Sequence, residues 1–210
     1  MNITNVSQKR ICLFGGTFDP IHFGHISMAN KAIEVFNFNE IVFLPTGNSY
    51  LKTNVTEASK RCDMVEIATR SNEKFTISYI EAKSNVPSYT YITLQKYKEM
   101  YPDTELYYLI GEDSLRYIEF WKESQTIFDL CHIIVARRNN DSTKDNRDYN
   151  DVVSDLSERY GAKISSFDFD MPISSTAIRN AFKSDNTKEI EPYIDSDVYK
   201  YIKDNNLYKE

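Results

Sequence analysis

The chain reads as an α/β protein: a doubly wound parallel sheet with helices on both faces and a C-terminal helical segment. Three observations predict this. Short apolar runs alternate with longer stretches of helical periodicity from Arg10 onward. Gly15-Gly16, Pro45 and Gly111 each stop such a run, as strand ends require. No internal repeat or linker-like stretch intervenes, so residues 1–210 are expected to form a single domain whose helical end covers about 174–210.

Arg10 to Phe14 (RICLF) is a buried strand ended by the glycine pair. Gly24 to Phe36 sets Ile26, Ala29, Ile33 and Phe36 at helical spacing. Glu40 to Leu44 (EIVFL) is the second strand. Ser59 to Ser71 is helical, with Met64, Ile67 and Ala68 on one side, and Phe75 to Ser78 is a weaker strand. Tyr89 to Met100 is a helix, Glu105 to Ile110 (ELYYLI) a strand, Glu123 to Leu130 a helix and His132 to Ala136 (HIIVA) a strand. Asn139 to Asn150 has no apolar period and reads as an exposed loop. Asp151 to Tyr160 is helical, Lys163 to Phe167 a strand, and Ser174 to Lys183 and much of Ile190 to Asn205 helical. In such sheets ligands gather at the carboxyl ends of the strands.

Of the 210 residues, 41% are apolar and 27% charged, with net charge −6. An acidic chain is a poor non-specific nucleic-acid binder, so no nucleic-acid partner is expected. Any phosphate site must then be made locally positive by backbone N–H groups, His, Lys or Arg. Cys12, Cys62 and Cys131 are odd in number and lack C-x-x-C spacing, as expected of thiols in a reducing compartment, Cys12 and Cys131 being buried. Met1 to Arg10 is polar and unlike a signal peptide, and no apolar stretch nears the roughly 18 residues of a membrane helix. A cytoplasmic protein without a membrane partner is expected. A homo-oligomer is compatible with the sequence.

The densest chemistry lies in Phe14 to His25, F-G-G-T-F-D-P-I-H-F-G-H. Gly15 and Gly16 let a backbone approach a ligand, and a helix starting near His22 offers unpaired N–H groups to an anion. His22 and His25, three apart, share a helix face and can address one phosphate. Neither a Walker A loop nor the G-x-G-x-x-G fingerprint is present. Two histidines with no Cys or carboxylate at ligand spacing are a poor zinc site, so no protein-held metal is expected. The plainer alternative is a helix capped by histidines. His132, leading an apolar strand, reads as structural. Ile173-Ser174-Ser175-Thr176-Ala177-Ile178-Arg179 is a helix start rich in hydroxyls with an arginine one turn on. By itself it is an N-cap with a solvated Arg; near an anion, the hydroxyls and the forked cation would bind phosphate.

G-G-T-F-D-P-I-H-F-G-H resembles the signature of the nucleotidylyltransferase superfamily, whose motif is H-x-G-H, and I-S-S-T-A-I-R resembles its second motif. The resemblance implies a Rossmann-like domain in which His22 and His25 contact ATP phosphates and stabilise the transition state, Thr17 positions the incoming phosphate, and Arg179 and Ser175 hold the leaving pyrophosphate. It also assigns Gly15, Gly16, Phe18, Ser174 and Thr176 to the ATP site. Mg²⁺ is expected with the ATP, bridging its oxygens.

Pro87-Ser88-Tyr89-Thr90, Tyr108-Leu109-Ile110-Gly111-Glu112-Asp113-Ser114, the Trp121 region and the ending Asn205-Asn206-Leu207-Tyr208 resemble the bacterial nicotinate mononucleotide adenylyltransferases. This implies ATP and nicotinate mononucleotide as partners. Trp121 would stack on the pyridinium, and Ser88, Tyr89 and Thr90 would meet its carboxylate. Gly111 and Asp113 would contact the adenosine, and Arg138 would lie near adenine and phosphates. Thr46 and Lys52 lie in the loop expected near the mononucleotide. Many family members carry Pro-Pro-His-Lys there; this chain keeps the lysine as Lys52 but has Leu51 for the histidine. The alternatives are the same chemistry on nicotinamide mononucleotide, phosphopantetheine or another phosphate, and a non-catalytic nucleotide sensor.

Overall fold

Strands that are apolar at successive positions need cover on both faces, and the order of elements supplies it. A computed structural model describes residues 9–47, 55–84, 86–137 and 147–209. The strands are β1 (Arg10–Gly16), β2 (Glu40–Pro45), β3 (Phe75–Ile77), β4 (Glu105–Gly111), β5 (His132–Arg137) and β6 (Ile164–Asp168). They form one sheet in the order β3-β2-β1-β4-β5-β6, with every pairing parallel. Chain order therefore reverses between β1 and β4, the doubly wound arrangement that opens a crevice at the strands' carboxyl ends.

The helices are α1 (Phe23–Phe36), α2 (Ala58–Thr69), α3 (Thr90–Met100), α4 (Glu112–Leu115), α5 (Ser124–Leu130), α6 (Tyr149–Tyr160), α7 (Ser175–Lys183) and α8 (Ser196–Asp204). Alternation along each strand divides the core in two. Cys12, Phe14, Phe43 and Leu109 pack with α1, α2, α7 and α8 on one face. Leu13, Leu44, Tyr108 and Val135 pack with α3, α5 and α6 on the other. Full burial of each such side chain is worth about 1.5–3 kcal/mol. All three cysteines are buried and unpaired, Cys62 included.

Four elements differ from the sequence reading. β1 does not stop at Phe14: Gly15 and Gly16 stay in register with Leu44 and Pro45, because ladder bonds need no side chain. A four-residue helix, α4, follows β4; it is too short to show a period, and a buried Glu112–Arg116 ion pair at 2.9 Å holds it. Helix α6 starts at Tyr149, two residues earlier than expected, because Asp148 caps it by accepting from Asn150 N–H at 2.7 Å. The stretch 190–205, expected to be mostly helical, is a 3₁₀ turn, Glu191–Tyr193, and then α8: the backbone is extended at Ile194 between them, and the Asp195 carboxylate caps the new start. Among the described residues, no helix is long and apolar enough to cross a membrane.

Candidate active site

The bend between β1 and α1 is built around the two histidines. The His22 main chain is extended, and its Nδ1 accepts from Gly24 N–H at 3.1 Å. In return His25 Nδ1 accepts from His22 N–H at 3.3 Å, so the imidazoles form a reciprocal cap with ring centroids 3.8 Å apart. The amides of His22 and Gly24 are therefore bonded to the rings, rather than left open to an anion as the sequence suggested. A main-chain N–H can only donate, so each neutral ring must carry its hydrogen on Nε2. The helix end thus presents two ring donors. His22 is only 7% exposed, and burial lowers its pKa to about 4, which keeps it neutral near pH 7. Gly24 is required by this packing: a Cβ there would lie 2.8 Å from the His22 ring.

The second motif closes on the same bend. Ser174 caps α7, its Oγ accepting from Ala177 N–H at 3.1 Å. Ser175 Oγ donates to Pro20 O at 2.9 Å, and Arg179 Nη1 donates to Asp19 O at 2.8 Å, across 155 and 160 residues of chain. Arg179 Nη2 also reaches Thr176 Oγ1 at 3.2 Å, leaving further guanidinium donors for a ligand. These groups line a cavity of about 670 Å³ together with Gly16, Thr17, His22, His25 and, at the ends of β4 and β5, Gly111 and Ala136. Met28, Phe169, Met171 and Ile173 add an apolar wall. Apart from Ile173 inside the second motif, that wall was not anticipated, since isolated apolar residues beside strand ends carry no pattern.

Other expected site residues sit differently. Phe18 lines the cavity but is only 2% exposed; its ring meets that of His25 edge-on at 5.1 Å and supports it from below. Gly15 does not face the cavity: a Cβ there would lie 2.1 Å from Tyr108 Oη, so the glycine makes room for a tyrosine. Asp113 is exposed on α4, outside the cavity lining. Arg138, Leu51 and Lys52 lie outside the described residues, as does most of the expected loop 139–150.

The residues assigned to the acceptor form a second group, joined through Tyr108. Thr90 Oγ1 lies 3.5 Å from Tyr108 Oη, and the Trp121 ring meets that of Tyr108 edge-on at 6.2 Å. Trp121 is partly buried against the core, and Lys122 Nζ sits 4.6 Å from the Tyr89 ring centre. The Ser88 hydroxyl is already engaged, accepting from Gly47 N–H at 3.0 Å and bonding the buried Glu81. Burial pushes the Glu81 carboxyl upward, while its bonds to Thr93 and Ser88 pull the other way. Thr46 Oγ1 is buried with no partner among the described residues.

Sequence reading missed Arg61. It is 1% exposed and donates to the carbonyls of Thr17 (2.6 Å), Thr46 (2.5 Å), Gly47 (3.3 Å) and Thr56 (2.8 Å). It thereby staples the loop after β1 to the loop after β2. In K-R-C-D it resembles a solvated helix face; the only signal was its place beside Cys62, Met64 and Val65.

A cytidylyltransferase-like family model matches residues 13–181. The chain is similar to proteins named "Probable nicotinate-nucleotide adenylyltransferase" from Clostridium botulinum (strain Kyoto / Type A2) and Clostridium kluyveri. Each is 40% identical over 200 residues, covering 94% of this chain and 98% of the relative. Its fold is similar to Plasmodium falciparum nicotinic acid mononucleotide adenylyltransferase, solved with NaAD (TM-score 0.80, 24% identity, 96% of this chain and 98% of that one). The same protein complexed with APC gives a TM-score of 0.76 at 23% identity, with the same coverage. With both motifs closing on one cavity and these likenesses spanning nearly its whole length, the chain belongs to the cytidylyltransferase-like family and, within it, to the nicotinate-nucleotide adenylyltransferases.

Proposed function

We propose that this enzyme transfers AMP from ATP to nicotinate mononucleotide, forming deamido-NAD and releasing pyrophosphate, a step of NAD biosynthesis. The acceptor's phosphate oxygen attacks the α-phosphorus while the bond to the oxygen bridging the β-phosphate breaks. No protein nucleophile takes part, so the gain comes from placement and charge stabilisation. His22 and His25 donate through Nε2–H to the transferring phosphate, and Thr17 orients the incoming one. Arg179 and Ser175 hold the departing pyrophosphate. Mg²⁺ would enter with the ATP as part of the substrate and would offset the charge of its phosphates. The acceptor assignment places the ring against Trp121 and the mononucleotide near Thr46, Lys52 and Ser88 to Thr90. A reducing, cytoplasmic setting agrees with three buried free thiols.

The observation that carries this reading is the convergence of both motifs: Arg179 and Ser175 bind the Asp19-Pro20 carbonyls beside the paired imidazoles. The choice of acceptor is supported by relatives 40% identical over 94% of the chain. The test is an acceptor panel with ATP and Mg²⁺, following pyrophosphate release. Nicotinate mononucleotide is expected to be the best acceptor, and its amide measures the preference for acid over amide. If it is inert while phosphopantetheine or another phosphate turns over, the acceptor is wrong. His25→Ala is expected to lower turnover by about 10² or more with little change in melting temperature; wild-type turnover would remove the mechanism.

A further inference from the structure

The chain's last turn reaches back into the cavity wall. After α8, Asn206 and Tyr208 both adopt left-handed backbone, at φ +51° and +65°, an unfavourable conformation for a tyrosine. Leu207 is buried, its N–H bonded to Ile202 O at 3.0 Å, and the Tyr208 ring lies 6.3 Å from that of Phe182 on α7. The strained turn delivers one group: Tyr208 Oη donates to Asp19 Oδ1 at 2.7 Å, 189 residues away. Asp19 Oδ2 accepts from Thr56 N–H at 3.2 Å, so each carboxylate oxygen has its own donor. Asp19 lines the cavity at 5% exposure, and Arg179 binds its main-chain carbonyl rather than its carboxylate.

We propose that Tyr208 is a positioning residue that pins the Asp19 carboxylate away from Arg179, keeping the guanidinium available to the nucleotide phosphates. Released from Tyr208, the Asp19 carboxylate would be free to turn toward Arg179, whose guanidinium already bonds the Asp19 main-chain carbonyl. Arg61 also feels the Asp19 charge, but its guanidinium is held by four main-chain carbonyls. Burial, and then the neighbouring Asp19 charge, push the Tyr208 phenol pKa upward, so its proton stays in place to be donated. The unpinned alternative, in which Asp19 pairs with Arg179, would put a negative charge where triphosphate oxygens must come and offset a positive one.

This inference rests on the cavity being the ATP site, and saturable ATP-dependent pyrophosphate release by the unaltered enzyme tests that reading separately. In an enzyme that passes, Tyr208→Phe keeps the ring but loses the donor. It is expected to raise the KM for ATP about tenfold, with the KM for the mononucleotide within about twofold. Adding Asp19→Asn removes the competing charge and is expected to bring the ATP KM back to within about threefold of the unaltered enzyme. An unchanged ATP KM in Tyr208→Phe overturns the proposal. So does a raised KM that Asp19→Asn fails to relieve, which would mean the tail acts only by packing. If Tyr208→Phe does not fold, Asp19→Glu, which pushes the carboxylate past its two donors with Tyr208 intact, is expected to raise the ATP KM likewise; an unaltered value there overturns it.

Discussion

Gly24 N–H donates to His22 Nδ1 at 3.1 Å, and the hydrogen atom that stands for a side chain at position 24 is what allows it. The glycine of H-F-G-H is thus a space requirement set by its own preceding histidine. Gly24→Ala is expected to push the ring off the helix end and leave an amide uncapped. Turnover should fall about 100-fold, the scale of losing one transition-state donor, with a loss of about 1 kcal/mol in stability for the cap. Steady-state kinetics beside urea unfolding checks both; an alanine variant with unaltered turnover would show that the ring's placement is dispensable.

His22 makes stability depend on pH. Its folded pKa, about 4, is depressed below the ordinary 6.5. The folded state therefore binds fewer protons between those values, so the contribution is fully present above about pH 6.5 and is lost as pH falls toward 4. The shift corresponds to about 3 kcal/mol in all, of which about 2 kcal/mol is lost between pH 7 and pH 5. His22→Gln should lose less stability than the unaltered protein over that interval in denaturant melts. Parallel losses would assign the proton uptake to another group.

Arg61 joins two loops through four carbonyls, which a lysine's single ammonium cannot span. Arg61→Lys is expected to fold with a destabilisation of about 2 kcal/mol, from carbonyls left without donors. Because Thr17 and Thr46 lie on different loops, the KM values for ATP and for the mononucleotide should both rise, each by about fivefold or more. A variant with weakened stability but unaltered KM values would mean the staple does not set the substrate loops.

Ser88 Oγ accepts from Gly47 N–H, so its hydroxyl holds a loop in place of waiting for a carboxylate. Ser88→Ala is then expected to raise the KM for nicotinate mononucleotide and for its amide by the same factor, about three- to tenfold. A penalty confined to the acid would instead restore the direct carboxylate contact expected from the sequence. The comparison needs only the two acceptors and one variant.

Much of the fold was legible because the β1, β2, β4 and β5 runs are apolar on both faces, the first three of them ending at glycine or proline, and α1 between β1 and β2 keeps a helical period. The phosphate-facing half of the site was legible too, since His22, His25, Ser175 and Arg179 stand in two compact motifs. What escaped was every feature whose partner is remote in sequence. Nothing near Gly15 announces Tyr108, nothing near Arg61 announces the carbonyls of Thr17 and Thr46, and nothing in the ending Asn-Asn-Leu-Tyr announces Asp19. Short pieces escaped for another reason: the four residues of α4 hold together through a buried ion pair, not through periodicity.

The reversal of strand order between β1 and β4 has a consequence for the shape of what is made. Successive strands march outward from β1 on both sides, so the loops leaving β1 and those leaving β4 part like the banks of a channel. Groups assigned to ATP sit largely on the bank of β4, β5 and α7, while much of what is assigned to the mononucleotide sits toward β2 and α3. If ATP and the mononucleotide berth on those two banks as proposed, their phosphates meet in midstream, an arrangement that suits a tail-to-tail dinucleotide.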